Sequence, residues 1–449
     1  MSRVLLCLAG ALLAVAVIPM VGCGVGSLSG GIHTDDGRES TLGPGGDVPS
    51  SPGGSGGSGG GDSGGGDTGD GGNGEPQSGV LTAGDVDDNL NFGFYTSYLS
   101  SVLQNDTGQV LPQQNLAERI TIRVVDGAGA PVPNARVRIL AEQGGSPVVE
   151  SWAGYDGVFR YFPHADGGVN VQQVTAFTVE ATDPAEAAQP VTVAVDPASL
   201  EADRTVEVTI GADAALPTSM DLVLVMDTTG SMADELDYLA TEFRSIVQSV
   251  QSAHPGVDMR FGLVAYRDIG DEYVVRDFPF TGSVDTMRDQ LASLVADAGG
   301  DMPEAVDQAL QHAMAFDWRT GNTARALIHV ADAPPHDENL ATALDQVWAA
   351  RRAGVRVYPV AASGVDQTAE FMMRLGAALT HGRYMFLTDD SGVGNPHAEP
   401  TVPGYVVTRL DSVIVRVLGA ELEGHRIEPT EEEIIRRVGN CENGVCPEQ

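Results

Sequence analysis

The sequence predicts an α/β domain with a central, mostly parallel sheet and helices on both faces, preceded by a small antiparallel β-sandwich and a disordered N-terminal linker. Three observations predict it. From Met220 onward, apolar strands alternate with amphipathic helical stretches, the pattern of a parallel sheet covered on both sides. Across residues 117–213, period-two apolar runs dominate, as in strands that bury one face. Residues 24–78 hold almost nothing apolar.

The 449 residues allow two or three folded units. Residues 1–22 read as an export signal: Arg3, then the apolar run LLCLAGALLAVAVIPMV, then small residues. Met20-Val21-Gly22-Cys23 resembles the bacterial lipobox, with methionine in place of the usual leucine. That resemblance implies acylation of Cys23, which becomes the new N-terminus and anchors the chain to a membrane by lipid. Gly24, not aspartate, follows it, which points to the outer membrane or the cell surface.

Residues 23–79, including GGSGGSGGGDSGGGDTGDGGNG, cannot bury enough surface to offset chain entropy. A coil of this length spans on the order of 40 Å. Residues 80–116 read as a connector. Their run Asp85-Val-Asp-Asp-Asn-Leu has the acidic spacing of a calcium loop, but Leu90 stands where an EF-hand needs glycine and no glutamate closes the loop.

In the sandwich, Val206, Val208 and Ile210 of Thr205-Val-Glu-Val-Thr-Ile face one way. Asp126-Gly-Ala-Gly-Ala-Pro and Asp156-Gly157 supply turns. The stretches VVDGAGAPVPNARVRI and Tyr155-Asp-Gly-Val-Phe-Arg-Tyr resemble the carboxypeptidase-regulatory-like, prealbumin-type sandwich. The resemblance implies a spacer or binding module, and His164 reads as a loop residue, not a ligand.

The α/β domain occupies 218–424. Its strands fall at Asp221–Met226, Arg260–Tyr266, Ala324–Val330, Val355–Ala361 and Arg383–Leu387, with an edge strand at Tyr273–Phe280. Glu235–Ser252 and Asn339–Ala353 read as helices, and Tyr405–Leu422 as the last one. Ligands of open parallel sheets bind beyond the carboxyl ends of the strands. Asp227-Thr-Thr-Gly-Ser231 falls at such an end. An unpaired carboxylate emerging from a buried strand costs on the order of several kcal/mol, so it needs a cation or hydrogen bonds. Helix capping by Ser231 with Asp234 accounts for one hydroxyl but not for Asp227 or Thr229. Two hydroxyls two residues apart, with an aspartate, form a hard oxygen set suited to Mg²⁺.

This stretch resembles the metal-ion-dependent adhesion site of von Willebrand factor type A domains, whose first motif is Asp-x-Ser-x-Ser, here with Thr229 as the middle hydroxyl. Gly299-Gly-Asp-Met-Pro-Glu supplies the second position with Asp301, and Ala331-Asp-Ala-Pro-Pro-His the third with Asp332. The resemblance implies a Rossmann-like fold and a metal held by Asp227, Thr229, Ser231, Asp301 and Asp332. Mg²⁺ is the expected ion, with Ca²⁺ or Mn²⁺ as alternatives, and a protein ligand is the expected partner. Asp301 stands where many members have threonine. Three carboxylates against a divalent ion leave a formal −1, which weakens the pull on a partner's carboxylate.

The net charge of −37 excludes the basic footprint of a nucleic-acid binder. All 25 side-chain cations are arginine, so no Walker A or Schiff-base lysine exists. No nucleophile, base and oxyanion set accompanies the metal motif, so the chain is not expected to be an enzyme. His336, His381 and His397 lie in separate loops without paired metal-ligand spacing. In the tail, 425–449, Thr430-Glu-Glu-Glu-Ile-Ile-Arg-Arg reads as a short helix, and Cys441 and Cys446 as a disulfide outside the cytoplasm. The expectation is an exported, lipid-anchored, metal-dependent binding or adhesion protein. The alternative is an envelope scaffold with a purely structural metal, and behind both stands a metal-assisted hydrolase.

Overall fold

The computed structural model describes residues 77–104, 111–141, 146–166, 174–233, 235–300 and 302–447. The expected signal peptide, Cys23 and the Gly-rich linker up to residue 76 lie outside the described residues, as do Asp234 and Asp301. No helix among the described residues is long and apolar enough to cross a membrane.

The described chain opens with β1 (Thr82–Val86) and α1 (Phe92–Gln104). Seven strands follow: β2 (Ile120–Val125), β3 (Arg136–Ala141), β4 (Val149–Trp152), β5 (Val158–Tyr161), β6 (Phe177–Thr182), β7 (Val191–Val195) and β8 (Thr205–Thr209). They form a three-stranded sheet, β5-β2-β8, and a four-stranded sheet, β4-β3-β6-β7. Alternate residues explain the layers: Ile120, Ile122 and Val124 of β2, Val137 and Ile139 of β3, and Val206 and Val208 of β8 all enter one core. The turn before β5 needs Gly157, whose φ is +69° and whose Cβ would lie 2.7 Å from the Val124 carbonyl. One pair departs from the antiparallel expectation. β8 runs parallel to β2, because the chain passes through the second sheet before returning to the free edge of β2.

The large sheet is built from β9 (Ser219–Asp227), β10 (Asp258–Tyr266), β11 (Val275–Thr281), β12 (Thr323–Ala331), β13 (Arg356–Ala361), β14 (Tyr384–Leu387), β15 (Tyr405–Arg409) and β16 (Arg436–Val438), together with β1. Its helices are α2 (Leu236–Ala253), α3 (Val284–Leu291), α4 (Val306–Met314), α5 (Leu340–Ala353), α6 (Gln367–Thr380) and α7 (Leu410–Glu423). The strand order is β11-β10-β9-β12-β13-β14-β1-β15-β16. The five strands from β10 to β14 are parallel to their neighbours, and antiparallel strands flank them at both ends. β9 is buried from Met220 to Asp227 because both faces are covered. Leu222, Leu224 and Met226 share a core with α2 and α7, while Val223 and Val225 face α4.

Several boundaries differ from those the sequence suggests. The connector supplies β1, which pairs antiparallel with both β14 and β15. Its α1 buries Tyr95, Leu99 and Val102 against α5 and α6. The acidic run is spent on arginines: Asp88 makes a bidentate pair with Arg374 at 2.7 and 3.0 Å, and Asp85 lies beside Arg383 and Arg426. The expected last helix begins with a strand, since the β-branched Val406, Val407 and Thr408 pair across β1 and β16, and only Leu410 starts α7. The tail residues expected as a helix turn instead into β16. Cys441 and Cys446 are joined by a disulfide just beyond it.

The sandwich is fixed to the helical layer of the large sheet. Arg351 of α5 pairs through Nε and its second terminal nitrogen with both oxygens of Asp166, at 2.7 and 2.8 Å, and also donates to the Arg160 carbonyl. Gly354, at φ +67°, lets the Trp152 ring lie where its Cβ would be, 2.5 Å away.

Candidate metal centre

β9 has β10 on one side and β12 on the other, so the strand order reverses there and a crevice opens at the carboxyl ends. Asp227 is the last residue of β9 and stands level with Tyr266 of β10. Val330 of β12 pairs with Met226, which places Asp332 just beyond the end of the neighbouring strand. Asp227, Thr229 and Asp332 are all buried.

The three donors of the first motif converge. Oδ1 of Asp227 accepts from the Thr229 N–H at 2.9 Å and from its hydroxyl at 2.7 Å. The Ser231 hydroxyl lies 3.1 Å from that of Thr229. Oδ2 of Asp227 has no hydrogen bond of ordinary length among the described residues; beyond Thr229, the Tyr266 hydroxyl is the group that reaches this carboxyl. The second loop is held against the first: Gly230 N–H donates to the Ala298 carbonyl at 3.0 Å, and Asp297 N–H to the Thr228 carbonyl at 3.2 Å. A Cβ on Gly230 would come within 2.8 Å of the Ala298 oxygen, so this approach needs glycine. Arg267 ties the same loops by donating to Thr228 O and Val295 O. Asp301 lies outside the described residues, one residue past the placed Gly299-Gly300.

Glu304, which sequence reasoning passed over, belongs to this centre. Its side chain is buried, and its Oε2 has no partner among the described residues. An acid just before a helix ordinarily serves the helix N-terminus, so its sequence position gives no signal of this. Burial first, and the neighbouring Asp332 second, push the Asp227 carboxyl up to about 7. Burial, then the carboxylates of Asp227, Asp268, Asp332 and Asp271, push that of Glu304 up to about 9. Both shifts arise because like charges share a space that water does not reach.

These groups fit a divalent cation. The donors are hard oxygens, and one buried carboxylate oxygen of Asp227 closes no hydrogen bond of ordinary length among the described residues. Among the described residues no three His, Cys, Asp or Glu side chains gather into a cage, so a cation here depends on the two hydroxyls and on Asp301 as well.

The histidines go elsewhere. His336 bonds Asp268 at 2.7 Å, and His397 bridges Glu235 and Asp389, each at 2.9 Å. His381 ends α6 in the left-handed region and accepts from the Arg160 N–H at 3.2 Å. His164 reaches Glu118 at 2.7 Å.

Residues 221–391 match the family model of the von Willebrand factor A domain. The chain carries a von Willebrand factor A domain. A stretch of 118 residues, 26% of this chain, is 28% identical to alpha-protein kinase vwkA of Dictyostelium discoideum. Another of 120 residues, 27% of the chain, is 32% identical to an ariadne-like RING finger protein of Acanthamoeba polyphaga mimivirus. These stretches span 19% and 12% of those relatives, respectively. Among solved structures, the conserved hypothetical protein BatB from Bacteroides thetaiotaomicron aligns at 13% identity and a TM-score of 0.26, over 47% of this chain and 92% of that one. Proximal thread matrix protein 1 from the mussel byssus aligns at 12% identity and a TM-score of 0.29, over 36% and 40%.

Proposed function

We propose that the von Willebrand factor A domain holds a divalent cation, Mg²⁺ before Ca²⁺ or Mn²⁺, and through it binds a protein partner. The observation that carries this reading is the buried Asp227 carboxyl, one oxygen of which closes no hydrogen bond of ordinary length among the described residues, set beside the hydroxyls of Thr229 and Ser231. Asp227, Thr229, Ser231, Asp301 and Asp332 are the residues that would hold the ion. Once bound, the ion supplies a positive, oxygen-seeking contact for an acidic side chain of the partner. Around it the loops expose Ile269, Val295 and Met302, at 60, 64 and 47%, an apolar rim that a protein surface can cover. Export, lipid attachment at Cys23 and residence at the outer membrane or cell surface belong to the same proposal, and so does a prealbumin-type spacer role for the sandwich. The support for export is Arg3, the apolar run and Met20-Val21-Gly22-Cys23. The role is one of binding, not catalysis.

A scaffold with a purely structural metal is the second reading. The observation favouring it is the surplus of carboxylates: Glu304 joins Asp227, Asp332 and the expected Asp301.

The test is calorimetric titration of Mg²⁺, Ca²⁺ and Mn²⁺ into the metal-stripped full chain, beside Asp227→Ala. One ion bound by the wild type and none by the variant is the expected result. A wild type that binds no ion sinks both readings. A rise in melting temperature no larger than ligand mass action predicts points to the binding role, and metal-free unfolding to the scaffold.

A further inference from the structure

Arg160 is a charge left over where the sandwich packs on the α/β domain. It stands in β5 between Phe159 and Tyr161, whose rings enter the sandwich core, so its own side chain leaves by the opposite face. That face is covered, and Arg160 is only 8% exposed. Yet among the described residues its guanidinium closes no hydrogen bond and no ion pair. A buried charge without a partner is costly, so a counter-charge is expected beside it.

There is room for one. A cavity of about 340 Å³ opens where the connector, the sandwich, the end of α6 and the tail meet, and Arg160, His381 and Arg426 line it. That is the size of a small-ligand site. Arg426 brings a second guanidinium, whose Nη1 is buried without a hydrogen bond and lies 3.8 Å from Oδ2 of Asp87. Arg119 stands two residues before Thr121, the β2 residue opposite Arg160, and so shares its face. It reaches the Asn89 carbonyl at 3.0 Å and the Phe92 ring, neither of them charged. The positive field is felt on both neighbours. Burial, then Arg160, pushes the Arg119 guanidinium down to about 9. Burial first, then Arg351, Arg160, Arg356 and Arg119, hold His381 well below the usual imidazole range, so its ring is neutral and Nε2 accepts from the Arg160 N–H at 3.2 Å.

Two carboxylates, Asp87 and Asp156, share the walls, and both are engaged elsewhere. Oδ1 of Asp87 accepts from the Asn89 and Leu90 N–H groups, at 3.0 and 3.2 Å, while its Oδ2 faces Arg426. Oδ1 of Asp156 accepts from the Val158 N–H at 3.1 Å. Neither forms an ion pair with Arg160.

We propose that this cavity is an anion site, in which the fork of Arg160 holds two oxygens of a small carboxylate or phosphate, with Arg426 beside it. The site is separate from the cation centre and does not depend on it. His381 precedes β14, which begins at Tyr384, so the cavity lies at the amino end of that strand, whereas Asp227 closes the carboxyl end of β9.

Inorganic phosphate and acetate are the probes, added at an ionic strength held constant with chloride to the full chain carrying isotope-labelled arginine. The Nε–H signal of Arg160 is identified by its loss in Arg160→Lys. It is expected to shift and saturate with at least one probe and to stay in place with chloride alone. A response to phosphate only marks a phosphate site, to acetate only a carboxylate site, and to both a general oxyanion site. In calorimetry with the responding probe, Arg160→Gln is expected to bind about tenfold more weakly than the wild type. No saturable shift with either probe overturns the proposal, and so does an Arg160→Gln chain that binds as tightly as the wild type. Should Arg160→Gln not fold, Leu90→Trp decides: Leu90 lines the cavity, and the larger ring fills it while leaving Arg160 in place. That variant is expected to lose the binding, and binding kept at wild-type strength refutes the site.

Discussion

His329 sits inside β12, buried, with its ring nitrogen 3.2 Å from the Tyr266 hydroxyl. Burial lowers its pKa from 6.5 to about 4. Between those values the unfolded chain binds a proton that the folded chain refuses, so stability rises with pH across this window and falls as pH drops through it. The loss amounts to about 3 kcal/mol by pH 4. Urea unfolding at pH 7 and pH 4.5 should therefore show a smaller acid loss for His329→Gln than for the wild type, and equal losses would refute the assignment. At the same scale, Asp227, Thr229 and Ser231 are legible in the sequence because they are contiguous and follow an apolar strand. Glu304 is not, since only the close approach of three loops turns an ordinary pre-helical acid into part of the centre.

At the scale of elements, β1 decides what can be cut from the chain. It lies between β14 and β15, with Gly84 packed so closely that a Cβ would meet the Phe386 ring at 2.5 Å and the Tyr405 ring at 3.0 Å. Gly84→Ala is expected to cost about 1–3 kcal/mol through overpacking, read as a lowered denaturation midpoint. A fragment of residues 218–424 lacks β1 and β16 and leaves one edge of β14 and both edges of β15 open. It should aggregate or show no cooperative melt, and a soluble fragment with a sharp transition would contradict this. The parallel strands β9, β10, β12 and β13 are legible as apolar runs because both faces are covered. β1 is not, because Thr82-Ala-Gly-Asp-Val has little strand propensity and its partners lie some 300 residues away. Tyr405–Arg409 reads as the first turns of a helix for a related reason: only pairing with β1 and β16 shows it to be a strand.

At the scale of the whole described molecule, Arg351 joins the sandwich to the helical layer. Its guanidinium, itself buried, holds both Asp166 oxygens and two backbone carbonyls, Arg160 and Leu379. Removing one partner of a buried pair strands the other, so Arg351→Ala should cost about 3–5 kcal/mol in urea unfolding. Arg351→Lys should recover little of that loss, since an ammonium cannot reproduce the planar fork. Full recovery would show that charge alone matters here. The sandwich and the α/β domain are separable in sequence by their periodicities. What joins them is not, because a lone arginine on a helix looks like any solvated cation until the sandwich is placed against it.

The antiparallel bonding of β1 on both edges also has a mechanical side. A force applied at the N-terminal end runs along β1, and its hydrogen bonds to β14 and β15 must slide and break together, whereas a strand peeled from a sheet edge gives way one bond at a time. Pulled from residue 77, the domain should resist in a single high-force event. Pulled from the C-terminal side, where β16 has one neighbour of three paired residues, it should begin to yield at a lower force.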